Sequence, residues 1–371
     1  MDWYPFVLIG VGLVGLLGGG ELLVRGASAI ATSLKIPPLV IGLTVVAFGT
    51  SAPEMAVSVQ SSLAGQTDLA VGNVIGSNIC NVLLILGISA LITPLVVSQQ
   101  LVRREVPLCI IVSIIVYIMG YNGTLSRTEG IALFIGLIVY LVWSLVQAKK
   151  GMNEEKKALP KEMTEADLEE VKKGWGYLSL QIVFVLIGLL LLTVGSDWLV
   201  DGSVEVARQL GVSELIIGLT IIAGGTSMPE VAASVMASLR GHRDLAVGNV
   251  MGSNLFNLLG VLGLAGIFAQ DGVIVSKQML MFDLPVLIAV SIACLPIFFT
   301  EHIIRRWEGA LFLGYYIAYM VYIVLSAIES PFYTTFSNVM IYFVIPLTAI
   351  TLITGVVRAI RSGEKNGNPA L

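Results

Sequence analysis

The residues from Gly42 to Gly87, "GLTVVAFGTSAPEMAVSVQSSLAGQTDLAVGNVIGSNICNVLLILG", return 176 positions later, without a gap. The second copy, Gly218 to Gly263, reads "GLTIIAGGTSMPEVAASVMASLRGHRDLAVGNVMGSNLFNLLGVLG". Roughly two-thirds of the positions are identical, more than shared hydrophobicity produces. The register reaches upstream, where Glu21 overlays Asp197 and Gly26 overlays Gly202. Each copy sets a carboxylate one residue after a proline, Pro53–Glu54 and Pro229–Glu230, inside a stretch apolar enough to lie in lipid. A fold for this chain has to accommodate that combination twice.

Apolar runs about 20 residues long, the length that crosses a hydrocarbon core, recur along all 371 residues. The chain is 56% hydrophobic and only 12% charged, about half the charge of a soluble domain. These properties predict an all-α, polytopic membrane protein. Spans are expected near 3–23, 39–63, 69–92, 106–121, 128–147, 178–199, 215–239, 245–269, 280–299, 308–327 and 337–357. Residues 1–23 lack the basic leading region of a signal peptide and read as the first span. With the N-terminus outside, all but Arg127, Arg208 and Lys277 of the 21 Lys and Arg residues fall on the inside. That imbalance predicts an external N-terminus and a cytoplasmic C-terminus. The polar stretch 148–176 then reads as a cytoplasmic linker, with a short helix from Thr164.

Five spans separate the two copies, so the second enters the membrane upside down. The expected organisation is a first five-helix repeat (1–147), the linker (148–176), an inverted second repeat (177–328), and an additional transmembrane helix with its tail (329–371). Inverted repeats with interrupted helices at matched places point to a secondary transporter with a midplane site. Pro53 and Pro229 remove the bonds to the carbonyls of Gly49 and Gly225. In lipid, such carbonyls must line a cavity or meet a cation. Thr50 and Glu54, like Thr226 and Glu230, are four apart and share a face. Each motif therefore gathers backbone, hydroxyl and carboxylate oxygens, the ligands of hard cations. On the next span Asn73, Ser77 and Asn81 form a polar stripe, repeated as Asn249, Ser253 and Asn257. The pairs Gly72/Gly76 and Gly248/Gly252 permit close helix approach.

More ordinary roles compete for these residues. One Pro–Glu could be a structural kink, and Asn/Ser stripes serve interhelical hydrogen bonding as readily as ligand binding. The duplication favours the ion-binding role for the glutamates, since ionisable residues within spans are usually functional. Glu21, Arg25, Asp197 and Asp201 are expected to reach the interface, and Asp68 and Asp244 to cap helices. Cys80, Cys109 and Cys294 show no metal-ligand spacing and read as buried thiols.

At the paired G-T-S-x-P-E and G-N-x-x-G-S-N-x-x-N motifs, the sequence resembles the calcium/cation antiporter superfamily, and within it the prokaryotic sodium/calcium exchangers. The resemblance covers nearly residues 1–328. It implies a prokaryotic plasma-membrane location, Ca²⁺ and Na⁺ as transported ions, no cofactor, and a diamond of ion sites at mid-membrane. Core Ca²⁺ ligands would be Glu54, Glu230, Thr50 and Thr226. Flanking sodium sites would use Ser51, Ser77 and the Ala47 carbonyl on one side, and Ser227, Ser253 and the Ala223 carbonyl on the other. Asn81 and Asn257 would sit in the middle, supported by Asn73 and Asn249. Many relatives carry aspartate at the place of Asn257 or its partner, whereas this chain has asparagine at both. The core thus offers two carboxylates, which neutralise one Ca²⁺ but not three Na⁺.

The sequence therefore points to Ca²⁺/Na⁺ antiport, with Ca²⁺/H⁺ antiport as the nearest alternative. A channel would more naturally assemble rings from several subunits. An enzyme is disfavoured, because the spans hold no zinc-ligand or nucleophile–base arrangement, and no P-loop for ATP-driven pumping is present. Beyond the ions and the bilayer, no partner is indicated, nucleic acid included.

Overall fold

The computed structural model describes residues 3–34, 36–158, 175–299 and 302–365. Helix α1 (Tyr4–Leu34) is followed by the bent pair α2 (Pro38–Thr50) and α3 (Ala52–Leu63), with 45° between them. Next come α4 (Thr67–Ile92), α5 (101–120) and α6 (Arg127–Ala158). After α7 (Trp175–Gln209), a second bent pair, α8 (Glu214–Gly225) and α9 (Met228–Leu239), turns through 47°. Helices α10 (Arg243–Phe268), α11 (Met279–Phe299), α12 (Arg306–Ala327) and α13 (Phe332–Thr354) complete the order. The molecule is an all-α membrane protein.

Among the described residues, eight helices are long and apolar enough to span, and up to ten spans result when each bent pair counts as one. The remaining expected span, near 106–121, is α5. Its apolar α-helical part, Val106–Gly120, follows a π-helical turn carrying Arg103, Arg104 and Glu105. Helix α6 runs on to Ala158, so the polar stretch expected as a linker begins helically. The helix expected from Thr164 lies outside the described residues.

Burial separates the helices by role. In their apolar windows α10 is 89% and α4 72% buried, whereas α12 is 6% and α13 0% buried. The two polar-striped helices are therefore the axis of the molecule, and α13 lies at its rim. Tyr315 of α12 donates to Thr348 Oγ1 of α13 at 2.6 Å. Most of the apolar core is one continuous cluster around α4 and α10, including Leu43, Val74, Ile79, Val250, Leu255 and Phe298.

Two short ladders join the halves. Leu95–Val96 pairs antiparallel with Ile303–Ile304, and Thr124–Leu125 with Val273–Ile274. Helices α1 and α7 meet through glycine. A Cβ on Gly12 would stand 2.6 Å from the Leu199 nitrogen, and one on Gly188 2.7 Å from the Leu23 nitrogen. Only bare backbone allows that approach.

Some expectations are corrected here. Asp68 and Asp244 are not caps: the cap positions are Gln66 and His242, neither with a side-chain cap bond, and both acids lie in the first turn. There they face the positive end of the helix dipole. The interfacial role expected of Glu21 is compatible with its side chain, which is one-third exposed, at 33%, and whose Oε2 accepts from Arg240 Nε at 2.7 Å. Gly248 and Gly252 do permit close packing: a Cβ on Gly252 would lie 2.7 Å from the Leu43 carbonyl oxygen. Gly72 and Gly76 do not, since nothing lies within 4 Å of a Cβ on Gly76.

Candidate ion-binding site

The breaks in the bent pairs fall at Ser51 (φ −80°, ψ 5°) and Ser227 (φ −87°, ψ 2°). Pro53 and Pro229 therefore occupy the first turns of new helices, where a missing N–H costs nothing. Glu54 and Glu230 lie in the same first turns, where the helix dipole favours a negative charge. This is why a helix breaker and an acid stand together. The proline restarts the helix, and the new N-terminus carries the carboxylate into the centre of the protein.

Both glutamates are fully buried, as are Thr50, Ser51, Ser227 and Ser253. The two halves interlock through them. Ser51 donates to Glu230 Oε1 at 3.2 Å, and Ser227 donates to Glu54 Oε1 at 3.2 Å. Ser77 adds a bond to Glu54 Oε1 at 3.4 Å. Each such bond to a charged acceptor is worth roughly 1.5–3 kcal/mol. The first-half serine thus serves the second-half acid, and the reverse.

The asparagine stripes form a second layer. Thr50 Oγ1 donates to Asn249 Oδ1 at 3.2 Å, and Thr226 Oγ1 to Asn73 Oδ1 at 3.2 Å. Asn249 and Asn73 in turn donate to Ser234 and Ser58 at 2.9 and 3.0 Å. Ser253 Oγ lies 3.5 Å from the Thr50 hydroxyl, which belongs to the first half. Asn81 donates to Asn254 Oδ1 at 3.0 Å. Ala47 is buried, whereas Ala223 is exposed.

Several polar atoms at the centre are buried without a hydrogen-bond partner. They are Glu54 Oε2, Glu230 Oε2, Asn81 Oδ1 and both amide atoms of Asn257. Leaving such groups unpaired is costly, most of all for an ionised carboxylate. A cation would satisfy the unpaired oxygens, though not the Asn257 Nδ2 donor. Among the described residues no group of three or more His, Cys, Asp or Glu gathers. The donors are two carboxylates surrounded by neutral oxygens, a hard-cation set.

Sequence reasoning missed Ser58, Ser234 and Asn254, although each lies within the duplicated stretch. It also missed two further buried acids. Glu105 Oε2 accepts from Tyr140 at 3.1 Å, and Asp283 Oδ1 from Tyr319 at 3.0 Å. Both precede a proline by two residues at the start of an apolar run, as Glu-Val-Pro and Asp-Leu-Pro. That recurrence is a signal the sequence does carry.

Comparison with known proteins follows the same duplication. The model of the sodium/calcium exchanger protein family matches residues 4–146 and again 180–325. Inner membrane protein YrbG of Escherichia coli (strain K12) is 40% identical over 257 residues, 69% of this chain and 78% of that protein. Sodium/calcium exchanger MaX1 of Methanosarcina acetivorans is 31% identical over 344 residues, 85% of this chain and 97% of that protein. A solved structure of the sodium-calcium exchanger NCX_Mj, soaked with 2.5 mM Na⁺ and 1 mM Sr²⁺, matches with a TM-score of 0.73 at 31% identity. The match covers 86% of this chain and 99% of that one. By fold, by duplicated motif and by these matches, the chain belongs to the sodium/calcium exchanger family.

Proposed function

We propose that this chain is a secondary antiporter that exchanges Ca²⁺ for Na⁺ by alternating access, with one ion core shared by two inverted repeats, 1–147 and 177–328. The observation that carries the proposal is the crossed pair Ser51–Glu230 and Ser227–Glu54, with the second oxygen of each glutamate buried and unpaired. Neither half completes the site alone. Glu54, Glu230, Thr50 and Thr226 serve Ca²⁺, while Ser51, Ser77 and the Ala47 carbonyl, and Ser227, Ser253 and the Ala223 carbonyl, serve Na⁺. Asn81 and Asn257 lie between these sets. Because Ca²⁺ and Na⁺ compete for the same two carboxylates, binding one displaces the other.

The charge distribution supports an external N-terminus and a cytoplasmic C-terminus in a prokaryotic plasma membrane. In that orientation the start of α8 faces outside, and the loop at Arg240 faces the cytoplasm. The glycine seam between α1 and α7 gives these helices a smooth track past the fixed site. A cysteine at Asn122 should react with an impermeant thiol reagent only from outside, and one at Thr32 only from inside.

The test of function is ⁴⁵Ca²⁺ uptake into proteoliposomes under an outward Na⁺ gradient, an outward H⁺ gradient, or neither. Uptake should follow the Na⁺ gradient. Uptake driven by the proton gradient alone would overturn the proposal in favour of Ca²⁺/H⁺ exchange.

A further inference from the structure

Pro229 has no N–H to offer the carbonyl of Gly225, four residues back. That carbonyl is nevertheless bonded, because Ser196 Oγ of α7 donates to it at 2.7 Å. Ser196 is 4% exposed. Serines in helices commonly bond the carbonyl four residues back in their own helix, as Ser28 does to Val24 and Ser203 to Leu199 here. Ser196 instead reaches across to another helix, to an acceptor that the second break has released.

The contact has no counterpart in the first half. Gly20 stands 176 positions before Ser196 and has no hydroxyl. A Cβ there would meet Met236 and Ala232 of α9, not the first break. Apolar contact with α7 is common to both breaks, since a Cβ on Gly49 would stand 2.6 Å from Leu189 Cδ1; the hydroxyl contact is what the first break lacks. Val204 and Ala207 of α7 pack with Ile217 of α8, joined by Val200 and Ile221. A Cβ on Gly225 would stand 2.5 Å from Val200 Cγ2. Helix α8 is thus attached to α7 along its length, while its other flank leaves Gly76 of α4 uncovered. Ser196 is the polar anchor at the ion end of that attachment, bonded to Gly225, which is two residues from Ala223 and next to Thr226.

We propose that Ser196 is a positioning residue for ion exchange: its hydroxyl holds the broken end of α8 on α7, which favours the arrangement in which α8 stands away from α4. The inference rests on the antiport reading above. Movement of α7 is then passed to the ligand segment 223–226 through a polar bond that the first break does not have.

The test uses wild type, Ser196→Ala and Ser196→Thr in proteoliposomes. Spin labels on Leu215→Cys and Leu69→Cys, exposed residues at the same ends of α8 and α4, report the ratio of long to short separations. The three native cysteines are buried. One net hydrogen bond corresponds to about a three- to tenfold change in such a ratio. Ser196→Ala should lower the long-to-short ratio by that factor and weaken apparent Na⁺ affinity on the α8 face, but not on the opposite face. Ser196→Thr, which keeps the hydroxyl, should restore both. An unchanged ratio in Ser196→Ala, or equal weakening on both faces, would overturn the proposal. A shifted ratio in a protein whose wild type shows no Na⁺-driven Ca²⁺ flux would leave the anchor standing and remove the antiport reading instead.

Discussion

The two halves differ least at their centres and most at their ends. At the centre the polar contacts come in matched pairs: Ser51 and Ser227 on the opposite glutamates, Thr50 and Thr226 on Asn249 and Asn73, and Asn249 and Asn73 on Ser234 and Ser58. Away from it the match fails. In the first half α2 lies flat on α10, with Leu39 and Leu43 buried and Gly248 and Gly252 against bare backbone. In the second half α8 leaves α4 open, Leu215 is half exposed, and Gly76 meets nothing. Helix α1 packs along α9, whereas α7 makes no comparable contact with α3. Repeats identical at roughly two-thirds of their positions thus hold two different arrangements around one polar centre. In the proposed orientation, α2 packs on α10 toward the cytoplasm and α8 stands off α4 toward the outside, while both glutamates stay buried.

The comparison breaks first at the carboxylates. If the centre is a single shared site, Glu54→Gln and Glu230→Gln should be equally damaging despite their unequal surroundings. Each removes half of the charge facing a divalent ion from a buried site, a loss of roughly 3 kcal/mol or more. Ca²⁺ exchange should fall by about a hundredfold or more, while size-exclusion profiles stay those of a folded protein. Loss in one variant and near-normal flux in the other would place the site in one half.

The glycine pairs sharpen it. Gly252→Ala would put a Cβ 2.7 Å from the Leu43 carbonyl and from Ala47 Cβ, and should cost about 1–3 kcal/mol, visible as a lower melting temperature. Gly76→Ala meets no atom in this arrangement, so stability should hold. Exchange should still slow, because α8 must close over that position for the opposite face to open. A Gly76→Ala variant with wild-type turnover would mean that α8 and α4 never meet as α2 and α10 do.

The smallest effect belongs to the ion pair Glu21–Arg240, which joins α1 to the end of α9 on the closed side. Its partners are 33% and 57% exposed, so its worth is roughly 0.2–1 kcal/mol and falls with salt. Arg240→Gln should shift the ratio of open to closed forms by no more than about fivefold, and the shift should shrink at high ionic strength. A larger, salt-independent effect would assign Arg240 a role in the transport path.

Much of the candidate site was legible in the sequence. The gapless repeat marks Pro53, Glu54, Pro229 and Glu230, and the four-residue stripe marks Asn73, Ser77 and their mates. What the repeat could not reveal is which half each side chain serves. Ser51 and Ser227 occupy equivalent places, and nothing local says that each reaches the other repeat's glutamate. Ser196 escaped because its role depends on a carbonyl 29 residues away. Glu105 and Asp283 escaped because their tyrosine partners lie more than 30 residues on, at 140 and 319. The open and closed ends were illegible for a different reason. Gly72/Gly76 and Gly248/Gly252 are the same motif, yet only the second pair packs against bare backbone.

The claim that the two halves build one site is tested most directly by equilibrium binding of ⁴⁵Ca²⁺ to the purified protein, with and without Na⁺. A shared core should bind Ca²⁺ at a single high-affinity site per chain, release it as Na⁺ rises, and lose it in Glu54→Gln and in Glu230→Gln alike. Two Ca²⁺ per chain, with each variant retaining one, would show two independent sites and contradict the account.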